Sequence, residues 1–190
     1  LLTGAGYHAE DPYSGTEYDL ITGKMTIYTE GKRIDRSVNT KGTLRAQAVF
    51  DELVADLSEK DVLPGIRDFL TWLNRQNVKV AVASSSNTSS GLAKRFDLDK
   101  HFQVIIDGNR KLPRKPAPDT FLLAAQMLGV DPADCIVFED SLSGVLAAQR
   151  AKIGRVYGFG PGYTPERYEP VGGVDDAFDD FANWKKFDLT

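Results

Sequence analysis

The sequence is poor in the features that mark whole classes of protein. It has a single cysteine, Cys135, which excludes an intrachain disulfide and makes a reducing compartment, the cytoplasm, the expected location. It has no apolar run of roughly 18 residues or more, so no helical membrane span is expected, and no signal-peptide pattern opens it. Basic charge is also short. The 23 Lys and Arg against 27 Asp and Glu give a net charge of −4, which offers no positive field for nucleic acid or an anionic membrane. Repeats and low-complexity segments are absent. So is an initiator methionine: the chain opens Leu1-Leu2-Thr3-Gly4, and the beginning of the protein is expected to lie upstream.

What is present is enough for a core. Of 190 residues, 42% are hydrophobic, sufficient for one domain or one domain with a small appendage. Residues 1–62 are heterogeneous and punctuated by turn signals such as Asp11-Pro12-Tyr13-Ser14-Gly15. Their clearest element is a helix from Leu44 to Leu57, with Ala48, Val49, Leu53 and Val54 clustering on one side. Met25–Thr29 reads equally as a helix end or a short strand. From residue 63 the pattern becomes a regular alternation of strand and helix. The expected strands lie at Val78–Ala83, Gln103–Ile106, Ile136–Phe138 and Arg155–Tyr157, with a loop from Gly158 to Gly162. Helices are expected from Pro64 through Leu73, Gly91–Phe96, Pro118–Leu128 and 142 to about 151, with a final one carrying Val174, Phe178, Phe181 and Trp184. Such alternation implies a parallel sheet covered on both faces.

Three strand-to-helix junctions would then open on one edge of that sheet, where ligands bind in open α/β folds. The first is Ser84-Ser85-Ser86-Asn87-Thr88, whose hydroxyls and backbone N–H groups suit an anion pocket and equally suit an ordinary helix cap. At the second, Arg114-Lys115-Pro116-Ala117-Pro118-Asp119, the prolines stiffen the segment before a helix. Lys115 is either a point charge aimed at a phosphoryl group or a solvated lysine. The third is Phe138-Glu139-Asp140-Ser141, an acid pair ending an apolar strand that reads as fully buried, followed by a Ser N-cap. Two bare carboxylates about 5 Å apart repel by about 3 kcal/mol at an effective dielectric of about 20. A hard cation removes that cost, and an all-oxygen pair suits magnesium better than zinc. The alternative is a solvated pair in which Asp140 helps cap the helix.

Taken in order, these junctions resemble the haloacid dehalogenase superfamily, in its branch of sugar-phosphate phosphatases and β-phosphoglucomutases. The phrases Lys115-Pro116-Ala117-Pro118-Asp119 and Phe138-Glu139-Asp140-Ser141 carry the resemblance over about residues 60–160. It implies an α/β, Rossmann-like three-layer core with a parallel sheet over residues 63–190, and part of an α-helical cap over residues 1–62. It also implies Mg²⁺-dependent phosphoryl transfer from a small phosphorylated metabolite, a sugar phosphate, through an aspartyl-phosphate. Ser84 would hydrogen-bond the phosphoryl group and Lys115 would balance its charge. Asp140 would hold Mg²⁺ with Glu139 assisting, and Ser85, Ser86 and Asn87 would line the substrate side. The expected enzyme is a monomeric phosphatase that uses neither nucleic acid nor membrane. A mutase tends to carry lysine where this chain has Asn87, although the turn Asp107-Gly108-Asn109 is compatible with one.

One departure stands out. The family begins with a strand ending in Asp-x-Asp-x-(Thr/Val), whose first aspartate is the nucleophile, and no such strand precedes the cap-like region. The nearest mimic, Phe96-Asp97-Leu98-Asp99-Lys100, follows the charged pair Lys94-Arg95 and reads as helix-end and loop acids. A non-catalytic binding protein would show the same lack. Residues 1–190 by themselves are therefore expected to fold poorly and not to turn over, since loss of a covalent nucleophile costs on the order of a millionfold in turnover. Release of inorganic phosphate from a panel of sugar phosphates with Mg²⁺ checks this. Robust activity would return attention to Asp97 and Asp99.

Overall fold

The computed structural model describes the backbone of residues 15–19, 24–29 and 32–37, and residues 54–160 and 162–187 in full. The chain divides into two compact units, Leu1–Asp61 and Val62–Thr190. In the first, β1 (Gly15–Asp19), β2 (Lys24–Thr29) and β3 (Lys32–Ser37) form an antiparallel sheet in the order β1-β2-β3. Tyr18 lies opposite Met25, and Ile27 opposite Ile34. Met25–Thr29, open between two readings in sequence, is thus β2, in keeping with its Thr, Ile and Tyr content. Of the helix expected from Leu44 to Leu57, residues 54–56 are helical, and residues 44–53 lie outside the described residues.

The second unit is the α/β core. Here β4 (Ala81–Ala83) pairs in parallel with β5 (Val104–Ile106). A second parallel sheet runs β6 (Ile136–Glu139), β7 (Arg155–Phe159), β8 (Asp176–Phe178). The helices are α1 (Ile66–Arg75), α2 (Ser89–Arg95), α3 (Asp119–Leu128) and α4 (Leu142–Arg150). Helix α3 ends where Gly129 takes the left-handed φ of 64° that favours glycine, and the Lys79 ammonium donates to the Leu128 carbonyl at 2.6 Å. None of the described helices is long and apolar enough to cross a membrane.

The two-residue period of the strands sorts the core into layers. Val137, Val156 and Ala177 face one way, against Phe121 of α3 and Val145 and Ala148 of α4. Phe138, Phe159 and Phe178 face the other way, into a cluster with Phe69 of α1, Phe181 and Phe187. Phe69 is the hub of that cluster. Its ring lies 5.0 Å from Phe181, 5.5 Å from Trp184, and 5.8 Å from each of Phe138 and Phe187. Helices on one face and an aromatic layer with α1 on the other make the three-layer α/β core.

Four local expectations are corrected. The final helix is instead β8 followed by a single 3-10 turn, Trp184–Lys186. The three-residue spacing of Phe178, Phe181 and Trp184 mimics a helix, but strand pairing claims Phe178, and the Phe181 N–H donates to the Pro64 carbonyl at 3.0 Å. Strand β4 is shorter than the apolar run because Asn77, at φ 58°, and the Val78 N–H, bonded to the Leu73 carbonyl, still belong to the exit from α1. Strand β6 is not fully buried. Ile136, Val137 and Phe138 are half-buried and Glu139 is the buried member, since among the described residues β6 pairs on one side only, with β7. Gly158, expected in a loop, continues β7.

Truncating the aromatic hub tests this layering. Phe69→Ala is expected to cost about 3–5 kcal/mol of stability through lost burial and a residual cavity. Urea unfolding of the parent and the variant measures it, and a loss below about 1 kcal/mol would move the centre of the core elsewhere.

Candidate active site

The carboxyl ends of the parallel strands carry every site residue singled out in the sequence. Ser84 follows β4, Glu139 ends β6 with Asp140 beyond it, and Lys115 lies on the connection from β5 to α3. Ala83 and Val137, close to Ser84 and Glu139 in the chain, pack against the same apolar cluster.

Lys115 and Glu139 meet directly. The ammonium donates to Glu139 Oε2 at 2.6 Å and lies 4.4 Å from the centre of the Phe121 ring. Its segment is clamped by two bonds. The Ala117 N–H donates to the Arg114 carbonyl at 2.9 Å, and the Arg150 guanidinium of α4 donates to the Pro116 carbonyl, also at 2.9 Å. Glu139 is 5% exposed, and its other oxygen accepts from the Ser141 hydroxyl at 2.9 Å and the Ser141 N–H at 3.2 Å. Ser141 is also the N-cap of α4, accepting from the Gly144 N–H at 3.0 Å.

This environment pushes the two acids apart. Burial raises the Glu139 carboxyl. The Lys115 charge and hydrogen bonds from Lys115, Asp140 and Ser141 outweigh it, so the group sits below the usual carboxylate range. For Asp140 the nearby Lys115 charge is outweighed. Burial, then the charge of Glu139, pushes it up to about 6. An acid destabilised in its ionised form by a neighbouring carboxylate is a fit place for a cation. The donors are hard oxygens, suited to Mg²⁺. Among the described residues no cluster of three or more His, Cys, Asp or Glu side chains gathers, so the pair could supply only part of a coordination shell. Mg²⁺ tolerates that, because it keeps waters and takes substrate oxygens.

The Ser84–Asn87 loop forms a second group, with no direct hydrogen bond to Lys115, Glu139 or Asp140. The Ser84 N–H donates to the Ile106 carbonyl at 2.9 Å, and Ser84 Oγ accepts from the Ser86 N–H at 3.1 Å. Ser85 and Asn87 are exposed, Ser84 and Ser86 half-buried. Asp97 and Asp99 lie apart from both groups, past the end of α2, where Asp97 is ion-paired with Lys100 on the surface. They are helix-end and loop acids, as expected.

Two contributors escape a reading by sequence. Tyr168 is fully buried, its hydroxyl 3.5 Å from the carbonyls of both Glu139 and Asp140, and burial pushes the phenol up to about 12. Nothing local marks it. Gly144 lies so close to Glu139 that a Cβ would fall 1.9 Å from its Cδ. A glycine inside a helical pattern, about 1 kcal/mol worse than alanine there, was the available signal.

Fold and site together define a Rossmann-like α/β domain with hydroxyl, ammonium and paired carboxylate groups at the carboxyl edge of parallel strands. The chain belongs to the haloacid dehalogenase-like hydrolase family, which matches residues 7–152. It is 38% identical to the β-phosphoglucomutase of Bacillus subtilis, over 54% of this chain and 45% of that protein. It is also 38% identical to a phosphorylated carbohydrates phosphatase of Thermotoga maritima, over 58% of this chain and 49% of that protein. The chain thus spans about half the length of these curated relatives. The crystal structure of a β-phosphoglucomutase from Clostridium difficile superposes with a TM-score of 0.64 at 24% identity, over 78% of this chain and 65% of that one, which shows the shared fold.

The raised Asp140 gives a pH test. Its folded value of about 6 exceeds its ordinary 3.8, so its stabilising contribution is fully present below about 3.8 and is lost as pH rises through about 6. In chelator, Asp140→Asn is expected to leave the melting temperature nearly unchanged at pH 4 and to raise it at pH 7.5, by about 2–4 °C per kcal/mol recovered. A variant less stable than the parent at pH 7.5 contradicts the charge conflict.

Proposed function

We propose that this chain is the core-bearing part of a phosphatase that removes the phosphoryl group from a small phosphorylated metabolite, a sugar phosphate, through an aspartyl-phosphate. The observation that carries the reading is the buried Lys115–Glu139 pair with Asp140 beside it. It supplies one committed positive charge and one carboxylate in need of a cation, at the edge where this fold binds ligands. The Thermotoga phosphatase, named for phosphorylated carbohydrates, supports the substrate class.

In this reading each group has a charge-handling task, since phosphoryl transfer is mostly positioning and electrostatic stabilisation. The Ser84 hydroxyl donates to a phosphoryl oxygen. An ammonium has three donors, so Lys115 keeps two beyond its bond to Glu139 and turns them toward the same group. Glu139 holds Lys115 aimed. Asp140, with Glu139 assisting, would hold Mg²⁺, which when bound would neutralise the charge gathered on the phosphoryl oxygens. Ser85, Ser86 and Asn87 line the substrate side, and residues 1–62 are read as part of a cap domain. A carboxylate oxygen attacks phosphorus while the ester P–O bond breaks and the leaving oxygen takes a proton; water then hydrolyses the acyl phosphate. That nucleophile is none of the groups assigned above.

A second reading is a β-phosphoglucomutase-type isomerase, favoured by the Bacillus relative. Asn87, where that branch tends to carry lysine, weighs toward hydrolysis.

Phosphate release from sugar phosphates by the full-length protein, with and without Mg²⁺, tests the assignment. Lys115→Ala is expected to lower turnover by about 10²–10³-fold, the scale for removing one preorganised electrostatic group. Lys111→Ala, on the exposed connection, should stay within about twofold. Equal losses from the two would return Lys115 to a structural role.

A further inference from the structure

The turn that follows β5 is built against the serine loop in more detail than a connection requires. Two hydrogen bonds join them directly, a third ties the turn to α2 and a fourth closes the turn. The Gly108 N–H donates to the Ser86 carbonyl at 3.0 Å, and the Asn109 side-chain amide donates to the Asn87 carbonyl at 3.1 Å. The Ser90 hydroxyl donates to Asp107 Oδ2 at 2.5 Å, tying the turn to the first turn of α2, which the serine loop enters. Asp107 Oδ1 accepts from the Asn109 N–H at 3.1 Å, closing the turn on itself. The Ser90 bond holds the Asp107 carboxyl below the usual carboxylate range, so it stays an anionic acceptor near neutral pH.

Gly108 matters by what it lacks. A Cβ there would lie 2.2 Å from Asn87 Oδ1, 2.5 Å from the Ser85 carbonyl oxygen and 3.2 Å from the Asn87 nitrogen. The exposed Asn87 side chain could swing aside, but the Ser85 carbonyl is backbone and would have to shift. Meanwhile the loop's own amides divide into two sets. Those of Ser84, Ser86 and Thr88 donate to Ile106 O, Ser84 Oγ and Ser86 Oγ. Those of Ser85 and Asn87 donate to no protein acceptor among the described residues. Two free N–H groups flanking a serine hydroxyl are donors of the kind a phosphoryl group takes.

We infer that the turn Asp107-Gly108-Asn109 is a positioning device for phosphoryl binding: it sets the shape of the Ser84–Asn87 loop, and the missing side chain at Gly108 keeps the Asn87 amide open to a phosphoryl oxygen. This rests on the phosphoryl reading of the site. Asp107 and Gly108 touch no substrate and act through the loop. Ser90 serves them from the side of α2.

The test uses the full chain as parent, Gly108→Ala, Asp107→Ala, Asp107→Asn and Ser90→Ala. Two quantities are read: amide exchange and resonance positions at 84–87 by NMR, with the α3 amides as reference, and inorganic phosphate affinity by calorimetry. Gly108→Ala and Asp107→Ala are expected to speed exchange of the Ser86 amide about tenfold or more. They should weaken phosphate binding by a similar factor, with α3 unmoved. Asp107→Asn, which keeps an acceptor oxygen, should restore most of both, and Ser90→Ala should give a milder version of the same pattern should Gly108→Ala fail to fold. Loop amides that stay put in Asp107→Ala and Ser90→Ala overturn the inference, whatever phosphate does. Loop amides that shift in a chain whose parent binds no phosphate support the bracing and overturn the phosphoryl reading instead.

Discussion

The buried ion pair between Lys115 and Glu139 is the constraint around which the site is arranged. Neither charge can be buried alone, since removing one partner of such a pair leaves the other uncompensated at a cost of about 3–5 kcal/mol. The pair itself contributes little net stability relative to an apolar replacement, because desolvation offsets the attraction. Its consequence is placement. Glu139 reaches its buried seat because residue 144 lacks a side chain and because Ser141 turns back on its second oxygen. Lys115 reaches Glu139 because the Arg114–Ala117 turn and the Arg150 bond to Pro116 hold its backbone close.

That one pairing makes two adjacent acids chemically different. Glu139 has a counter-ion and three further hydrogen bonds, and so remains ionised. Asp140, a single residue on, is left with the desolvation and with Glu139's charge, and rises toward neutral pH. Asymmetry between neighbouring carboxylates, set by surroundings and not by residue type, is how such sites divide their roles. The rest of the core supports this edge. Tyr168 lies beneath the backbone of both acids, and Gly158 of β7 makes space for its ring, since a Cβ there would fall 2.2 Å from Tyr168 Cε2.

The serine loop obeys a different logic. No buried charge fixes it. A network of short-range bonds does, several within the loop and two to a turn some twenty residues later in the chain. Strands β4 and β5 are parallel neighbours, so their carboxyl ends, and the loops that leave them, must lie side by side. The sheet register brings Ala83 opposite Ile106, which delivers Ser84 to the Ile106 carbonyl and Asp107–Asn109 to the residues after Ser84.

Much of this was legible in the residues themselves. Strand–helix alternation from residue 63, the Ser141 N-cap, the Gly129 helix end and the placing of polar junctions after strands follow from local rules of backbone geometry and hydrophobic period. The family could be recognised from short phrases for the same reason, because its chemistry needs those residue types at strand ends. The tertiary structure decided what local rules cannot reach. It turned the apparent helix at Phe178–Trp184 into a strand and a turn, because pairing with β7 and packing on Phe69 outweigh a three-residue spacing. It also made the acid pair unequal, with Glu139 bonded to the Lys115 ammonium and Asp140 raised by burial and by its neighbour's charge. Which carboxylate meets an ammonium is set by the folding together of residues 24 positions apart in sequence, and no rule of local backbone geometry reaches that far.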